Sequence, residues 1–273
     1  MGAGKQSDMA SAAALIASGE TVGLGGMTIY RRPLAFARAL AQRTPRPHDL
    51  TLLAFAAGMA ADLLVGAGMV TRTRTCYFGL ESFGLAPMFS SAVEAQRVTV
   101  IEESEASIAC GLRASMAGVG FMPSQAWQGS DMFRVRPDVQ TMTDPYTNKI
   151  VTAFPAIRCD TAVIHALEAD LDGNVVLGGN PTIDLELALV AQRVIITAES
   201  VVARLPGPID IPGLMVSHVV HCPWGAWPTS CFPRYAVDGE ALLDYVDACR
   251  QGRFEEYLAE SYDTHTQLQR ESG

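Results

Sequence analysis

Apolar positions along the chain switch repeatedly between two periods. Residues 21–26 form a short apolar run closed by glycines, and residues 33–42 then carry apolar side chains at helical spacing behind a proline at a first-turn position. The same switch recurs at 50–55 then 58–64, at 75–78 then 87–95, and at 97–101 then 105–116. Four strand-then-helix units predict parallel pairing, because a crossover helix is what lets consecutive strands run in one direction. An amphipathic stretch at 8–18 precedes the first unit.

Between residues 118 and 154 the periodicity breaks, with Gly129-Ser130-Asp131, Arg136-Pro137-Asp138 and Asp144-Pro145-Tyr146 punctuating the stretch. An irregular segment of that length predicts a functional loop. Strands resume at 161–165, at 175–177 after the turn Asp172-Gly173-Asn174, at 194–198 and at 216–221, with a helix over 182–191. Amphipathic helices near 239–249 and 254–261 close the pattern. No linker or internal repeat interrupts it, so the expectation is one α/β domain over 1–273 with a helical tail at about 238–262. Its fold class is an open, mostly parallel sheet with helices on both faces, its strands ending near Gly26, Phe55, Phe78, Ile101, His165 and Ala198.

Composition narrows the function classes. With 49% hydrophobic and 18% charged residues, the chain is not an extended disordered one. A net charge of −9, with basic residues scattered except at Arg31-Arg32 and 72–74, offers no nucleic-acid footprint. No run approaches a membrane span and the start has no signal pattern, so a cytoplasmic protein without membrane contact is expected. The six cysteines form no CxxC pair, which predicts reduced core thiols and no metal site.

In an open parallel sheet, chemistry gathers at the carboxyl ends of the strands. At the first, adjacent Gly25 and Gly26 let backbone N–H groups turn toward an oxyanion or make a tight strand-to-helix turn. Thr28 occupies the place of a third glycine, so a dinucleotide fingerprint is absent. Arg31, with Tyr30 and Arg32, either receives a substrate carboxylate or is solvated at a helix start. A later strand end carries Glu81 and Ser82 between glycines, a carboxylate and a hydroxyl. The run Glu102-Glu103-Ser104-Glu105 reads as a helix start capped by Ser104, whose acids complement the macrodipole, or as a cluster with one acid aimed into the cleft. Glu105 is then the candidate nucleophile or base, since crowded carboxylates raise one another's pKa. Gln128, Gly129 and Ser130 form a turn rich in hydrogen-bonding groups. His165 is expected to be a buried, hydrogen-bonded histidine, while His218 and His221, at an odd offset on one strand, face opposite sides. A GxSxG elbow is absent.

Several of these segments together resemble a known family. Gly23-Leu24-Gly25-Gly26 followed by Arg31-Arg32-Pro33, then Asp49-Leu50-Thr51, Gly66-x-Gly68-Met69-Val70 and Gly120-Phe121-Met122-Pro123 leading to Gln128-Gly129-Ser130, are similar to the alpha subunit of family I coenzyme A transferases, the glutaconate type. His165-Ala166, Asp172-Gly173-Asn174, Thr197-Ala198-Glu199 and Pro223-Trp224-Gly225-Ala226-Trp227-Pro228 continue the likeness, which spans about residues 8–260. The resemblance implies the transferase (NagB-RpiA-like) α/β fold and a homologous beta subunit carrying a nucleophilic glutamate. It also implies acyl-CoA as substrate, coenzyme A as cosubstrate and no permanently bound cofactor. Gly25, Gly26, Arg31, Ser82, Gln128, Gly129 and Ser130 would then bind substrate or its oxyanion. Two-chain steroid-ring-opening hydrolases share the fold, and likeness to them would give Glu105 the catalytic role. A sugar-phosphate-sensing regulator of related fold would need a DNA-reading module, for which the roughly 20 residues before the first strand are too few.

Overall fold

The computed structural model describes residues 4–271. Seven parallel strands form the central sheet: β1 (Thr21–Leu24), β2 (Leu50–Leu53), β3 (Val70–Thr75), β4 (Thr99–Glu102), β5 (Cys159–Asp170), β6 (Ala191–Val202) and β7 (His218–His221). Their lateral order is β7-β6-β5-β1-β2-β3-β4, and the short strand Val175–Val176 pairs antiparallel with β5. From β1 the chain builds outward to β4 and then crosses to β5 on the other side. The boundary between β1 and β5 is therefore the switch point of the sheet, where an open α/β fold normally leaves a crevice.

Eight helices matter to the packing: α1 (Met9–Ala14), α2 (Leu34–Ala41), α3 (Met59–Gly66), α4 (Pro87–Glu94), α5 (Glu105–Met116), α6 (Asp184–Val190), α7 (Gly239–Arg250) and α8 (Phe254–Glu271). Alternating strand residues distribute them over two faces. Val163 and Ile195 belong to the core shared with α1–α4, α7 and α8, whereas Ala162, Ile164, Val194 and Ile196 pack with α5 and α6. Because both faces are covered, β5 and β6 each carry a continuous apolar stretch, at residues 162–164 and 194–196.

The predicted strand-helix alternation is present, and two segments differ from expectation. The strand expected at 75–78 lies earlier, at Val70–Thr75, where the buried positions include Thr73 and Thr75 instead of aliphatic side chains. Tyr77–Phe78 pairs instead with Ala56–Ala57, carrying the β2 and β3 chains past the sheet's carboxyl edge. The stretch expected to be irregular holds a three-stranded antiparallel sheet of Phe121–Ser124, Ile150–Pro155 and Gln140–Thr143, with Ile150–Pro155 in the centre. Its strands are short and half exposed, and Pro123 sits on an edge strand where its missing donor is harmless, so neither a long apolar run nor strict alternation marks them. Among the described residues no helix is long and apolar enough to cross a membrane.

One buried acid ties three helices together on the larger face. Asp62 of α3 accepts from the Tyr245 hydroxyl of α7 at 2.6 Å and from the Phe89 and Met88 amides of α4 at 2.6 and 3.3 Å. Burial pushes its carboxyl up from 3.8 to about 6 against the opposing pull of those hydrogen bonds. A raised carboxyl pKa stabilises the fold below the unfolded value, and that contribution is lost as pH climbs through about 6. Denaturant titrations of wild type and Asp62→Asn should show the wild type losing ground to the variant between pH 4 and 6, by on the order of 2–3 kcal/mol. A pH-independent difference would mean that Asp62 stays ionised throughout.

Candidate active site

Side chains of this chain close the switch point. The Gly25 amide donates to the Val163 carbonyl at 2.9 Å, and the Gly26 amide donates to Asp184 Oδ1 at 2.9 Å. Arg31 donates to Asp184 Oδ2 at 2.5 Å, to the His165 carbonyl at 2.7 Å and to the Asn180 carbonyl at 3.2 Å. Both side chains of the Arg31–Asp184 pair are 0% exposed. Arg32 is also buried, donating to the carbonyls of Leu24, Gly25 and Thr28, and burial pulls its pKa down to about 10.

Three expectations are corrected by this geometry. The amides of Gly25 and Gly26 have acceptors inside the protein, so neither is free for an oxyanion. Arg31 neither meets a substrate carboxylate nor stands in solvent, because Asp184 neutralises it in the interior. The glycines are required by packing: a Cβ at Gly25 would lie 2.7 Å from Asp184 Oδ1, and Gly26, at φ 74°, would place one 2.4 Å from the Arg31 carbonyl.

A second buried network adjoins the first. His165 is fully buried, with Nδ1 2.8 Å from Thr197 Oγ1 and Nε2 2.7 Å from Glu199 Oε1. Glu199 also accepts from the Tyr235 hydroxyl at 2.5 Å and the Trp224 amide at 2.7 Å. Burial drives the Glu199 carboxyl up, but the hydrogen bonds from His165, Tyr235 and Trp224 outweigh it and hold the group below its ordinary value. His165, Glu199 and Cys231 bring ligand-type atoms within 4.8 Å of one another, yet both imidazole nitrogens and both carboxylate oxygens already have protein partners. This cluster fastens Trp224 and Tyr235 of the 223–235 segment to the middle of β5 and β6.

Open chemistry lies three strands away, at the ends of β3 and β4. Ser104 caps α5 reciprocally: its hydroxyl accepts from the Ser107 amide at 3.2 Å, and Ser107 Oγ accepts from the Ser104 amide at 2.8 Å. Of the acidic run, Glu103 is buried against Arg136 and Arg74, whereas Glu105 is exposed and makes no hydrogen bond or ion pair among the described residues. Its charge reaches Cys76 at the end of β3, whose thiol is pushed up to about 11 by burial first and by Glu105 second. The Trp127 indole donates to Ser104 Oγ at 2.7 Å, which brings the 128–130 turn to the Glu105 side of the sheet.

Within that turn the Gln128 side chain donates to Thr152 Oγ1 at 2.9 Å and the Ser130 hydroxyl to the Trp127 carbonyl at 2.8 Å. The Gly129 N–H has no acceptor among the described residues. Ser82 is exposed on a 3-10 turn, Glu81–Phe83, beyond the extension of β3. The structure ties the turn's neighbour Trp127 to Ser104, the residue before Glu105, and leaves Gly25, Gly26 and Arg31 as internal supports. Sequence reasoning offers no role for Asp184, Tyr235, Arg136 or Asp138 and meets Glu199 only inside a motif of the family resemblance. The Arg-Pro-Asp run at 136–138 is the one visible signal among them.

Sheet, sealed switch point and carboxyl edge define an open α/β domain with Glu105 exposed just past the end of β4. Residues 6–222 match the Coenzyme A transferase family, and the chain belongs to it. It is 32% identical over 226 residues to a 3-oxoadipate CoA-transferase subunit of Pseudomonas knackmussii, covering 81% of this chain and 79% of that one. It is 32% identical over 251 residues to the cholesterol ring-cleaving hydrolase IpdA subunit of Rhodococcus jostii, covering 85% and 83%. The crystal structure of glutaconate coenzyme A-transferase from Acidaminococcus fermentans superposes with a TM-score of 0.88 at 29% identity, covering 98% of this chain and 93% of that one.

The sealed switch point has a direct energetic consequence. Asp184→Ala leaves Arg31 charged and unpaired in the interior, and should destabilise the protein by about 3–5 kcal/mol in thermal or chemical unfolding. The double variant Arg31→Met/Asp184→Leu should recover most of that loss. Equal destabilisation of single and double variants would mean that packing, and not charge pairing, dominates there.

Proposed function

We propose that this chain is the alpha subunit of a two-chain coenzyme A transferase that moves CoA between an acyl-CoA and a mono- or dicarboxylic acid. A homologous beta subunit completes the site and supplies the nucleophilic glutamate. That carboxylate attacks the thioester carbonyl and expels CoA thiolate, forming a mixed anhydride. The thiolate then attacks the glutamyl carbonyl of the anhydride, releasing the first acid and leaving a glutamyl-CoA thioester. An incoming carboxylate reverses both steps and leaves as the new acyl-CoA, so no resident cofactor is needed and CoA is a cosubstrate. In this reading the alpha chain contributes the Gly129 N–H and the Ser82 hydroxyl as donors to the acyl-CoA, with Glu105 at the edge of the cleft.

The observation that carries the reading is the family match across residues 6–222, joined to a carboxyl edge that offers donors and the exposed carboxylates of Glu81, Glu102 and Glu105 but no exposed, hydrogen-bonded nucleophile–base pair among the described residues. His165 and Glu199 are such a pair, but they are internal. Two relatives, the 3-oxoadipate and glutaconate enzymes, are named for dicarboxylic acids, which supports an acid of that class. The burial of Arg31 directs the search for its second carboxylate away from the β1 turn.

Glu105→Gln in the reconstituted two-chain complex tests the division of labour. Transfer of CoA to a carboxylic acceptor should fall less than about tenfold, since the change removes a charge beside the reaction and not the group that forms the intermediate. A loss of roughly 10²-fold or more, the usual effect of deleting a general base, together with wild-type cleavage of a cyclic CoA thioester, would contradict the transferase reading in favour of a ring-opening hydrolase.

A further inference from the structure

The 128–130 turn rests against the strand Ile150–Pro155 through Gln128 and Thr152, and its segment is fixed on either side by polar contacts. Arg136 donates through Nη1 to Glu103 Oε1 at 2.7 Å and to the Glu102 carbonyl at 2.8 Å, gripping the end of β4. Through Nε and Nη2 the same guanidinium forms a two-pronged pair with Asp138 at 2.8 and 2.9 Å. Its side chain is 6% exposed and that of Glu103 is 3% exposed, so water screens the contact little. Arg74 of β3 approaches the same Glu103 oxygen at 3.3 Å, which joins a second strand to the knot.

The other end of the segment is held by Trp127. Its indole N–H reaches Ser104 Oγ, and its ring packs edge-on against Phe133 and Phe154, with centroids 6.0 and 4.9 Å away. Trp127 adopts φ 71° and Gly129 φ 77°, left-handed conformations that persist where surroundings enforce them. Between the two anchors lies the Gly129 N–H, which has no acceptor among the described residues.

We infer that Arg136 is a positioning residue: by locking residues 127–138 to the end of β4 it fixes the aim of the Gly129 N–H on the Glu105 side of the cleft, where an acyl-CoA carbonyl oxygen is received. The inference rests on the transferase reading above. A donor to a developing oxyanion works only when its direction is set before the reaction, and freeing its segment forfeits that advantage. Lysine cannot replace the residue, because a point charge cannot bond Glu103, the Glu102 carbonyl and both oxygens of Asp138 together.

Two variants of the reconstituted complex separate positioning from bulk stability. R136Q should lower kcat for CoA transfer about tenfold or more while KM for the acyl-CoA changes less than about threefold, the pattern of an interaction lost in the transition state. Hydrogen exchange of residues 127–138 should accelerate, with the amides of β5 and β6 unaffected. The double variant E103Q/R136M removes both charges, so thermal stability should largely return. Its kcat should stay low and its exchange fast, because the grip is still missing. Recovery of kcat along with stability, or unchanged exchange in R136Q, would overturn the inference. A wild-type complex that transfers no CoA to any carboxylic acid would refute the functional half, and exchange alone would then decide whether Arg136 holds the segment.

Discussion

The structure depends on a single buried ion pair, Arg31 with Asp184, set where the order of the parallel strands reverses. A doubly wound sheet normally leaves a crevice at that point for a ligand. Here the pair occupies it, with the Gly26 amide donating to Asp184 and the His165 carbonyl accepting from Arg31. It therefore joins β1, β5 and α6 in one contact. Arg31 has φ 52°, a conformation unfavourable for a side chain that size and maintained by the partners its guanidinium finds.

Charge explains the rest of that neighbourhood. Arg31 is paired with the buried Asp184, Arg32 lies in the field of that same carboxylate, and Glu199 is held separately by His165, Tyr235 and the Trp224 amide. Arg32 has only carbonyl acceptors, and burial lowers its pKa, with Asp184 opposing the shift and Arg31 adding to it. Isolated charges at such depth are strongly penalised, and the Arg31–Asp184 contact compensates both members of that pair. With the crevice sealed, Glu105 after β4 and Ser82 beyond β3 stand exposed on the far strands of the carboxyl edge.

Much of this was legible in the sequence, because the period of apolar residues is a backbone property. The helix expected at 105–116 and the Ser104 cap are both present, since the capping residue and the apolar spacing act locally. Strand β3 is hidden because its own residues Thr71–Thr75 are polar, although they pair largely with apolar neighbours such as Leu52, Leu53, Val100 and Ile101. The antiparallel sheet at 121–155 escaped notice because its strands are short and rest on α5. At the site, Glu105 and the 128–130 turn could be named from residue type, but the engagement of Gly25, Gly26 and Arg31 could not. Asp184, the partner of Gly26 and Arg31, lies more than 150 residues later, Val163, the acceptor for Gly25, is also far along the chain, and only the fold brings them together.

The central claim is that this chain shapes and polarises a site whose covalent chemistry belongs to its partner. Trapping the intermediate tests that most directly: the two-chain complex is incubated with acyl-CoA, the glutamyl thioester is reduced with borohydride, and the altered residue is located by peptide mass spectrometry. The account predicts a single modified glutamate on the beta chain and an unmodified Glu105. A modification on Glu105, or on any other residue of this chain, would contradict it.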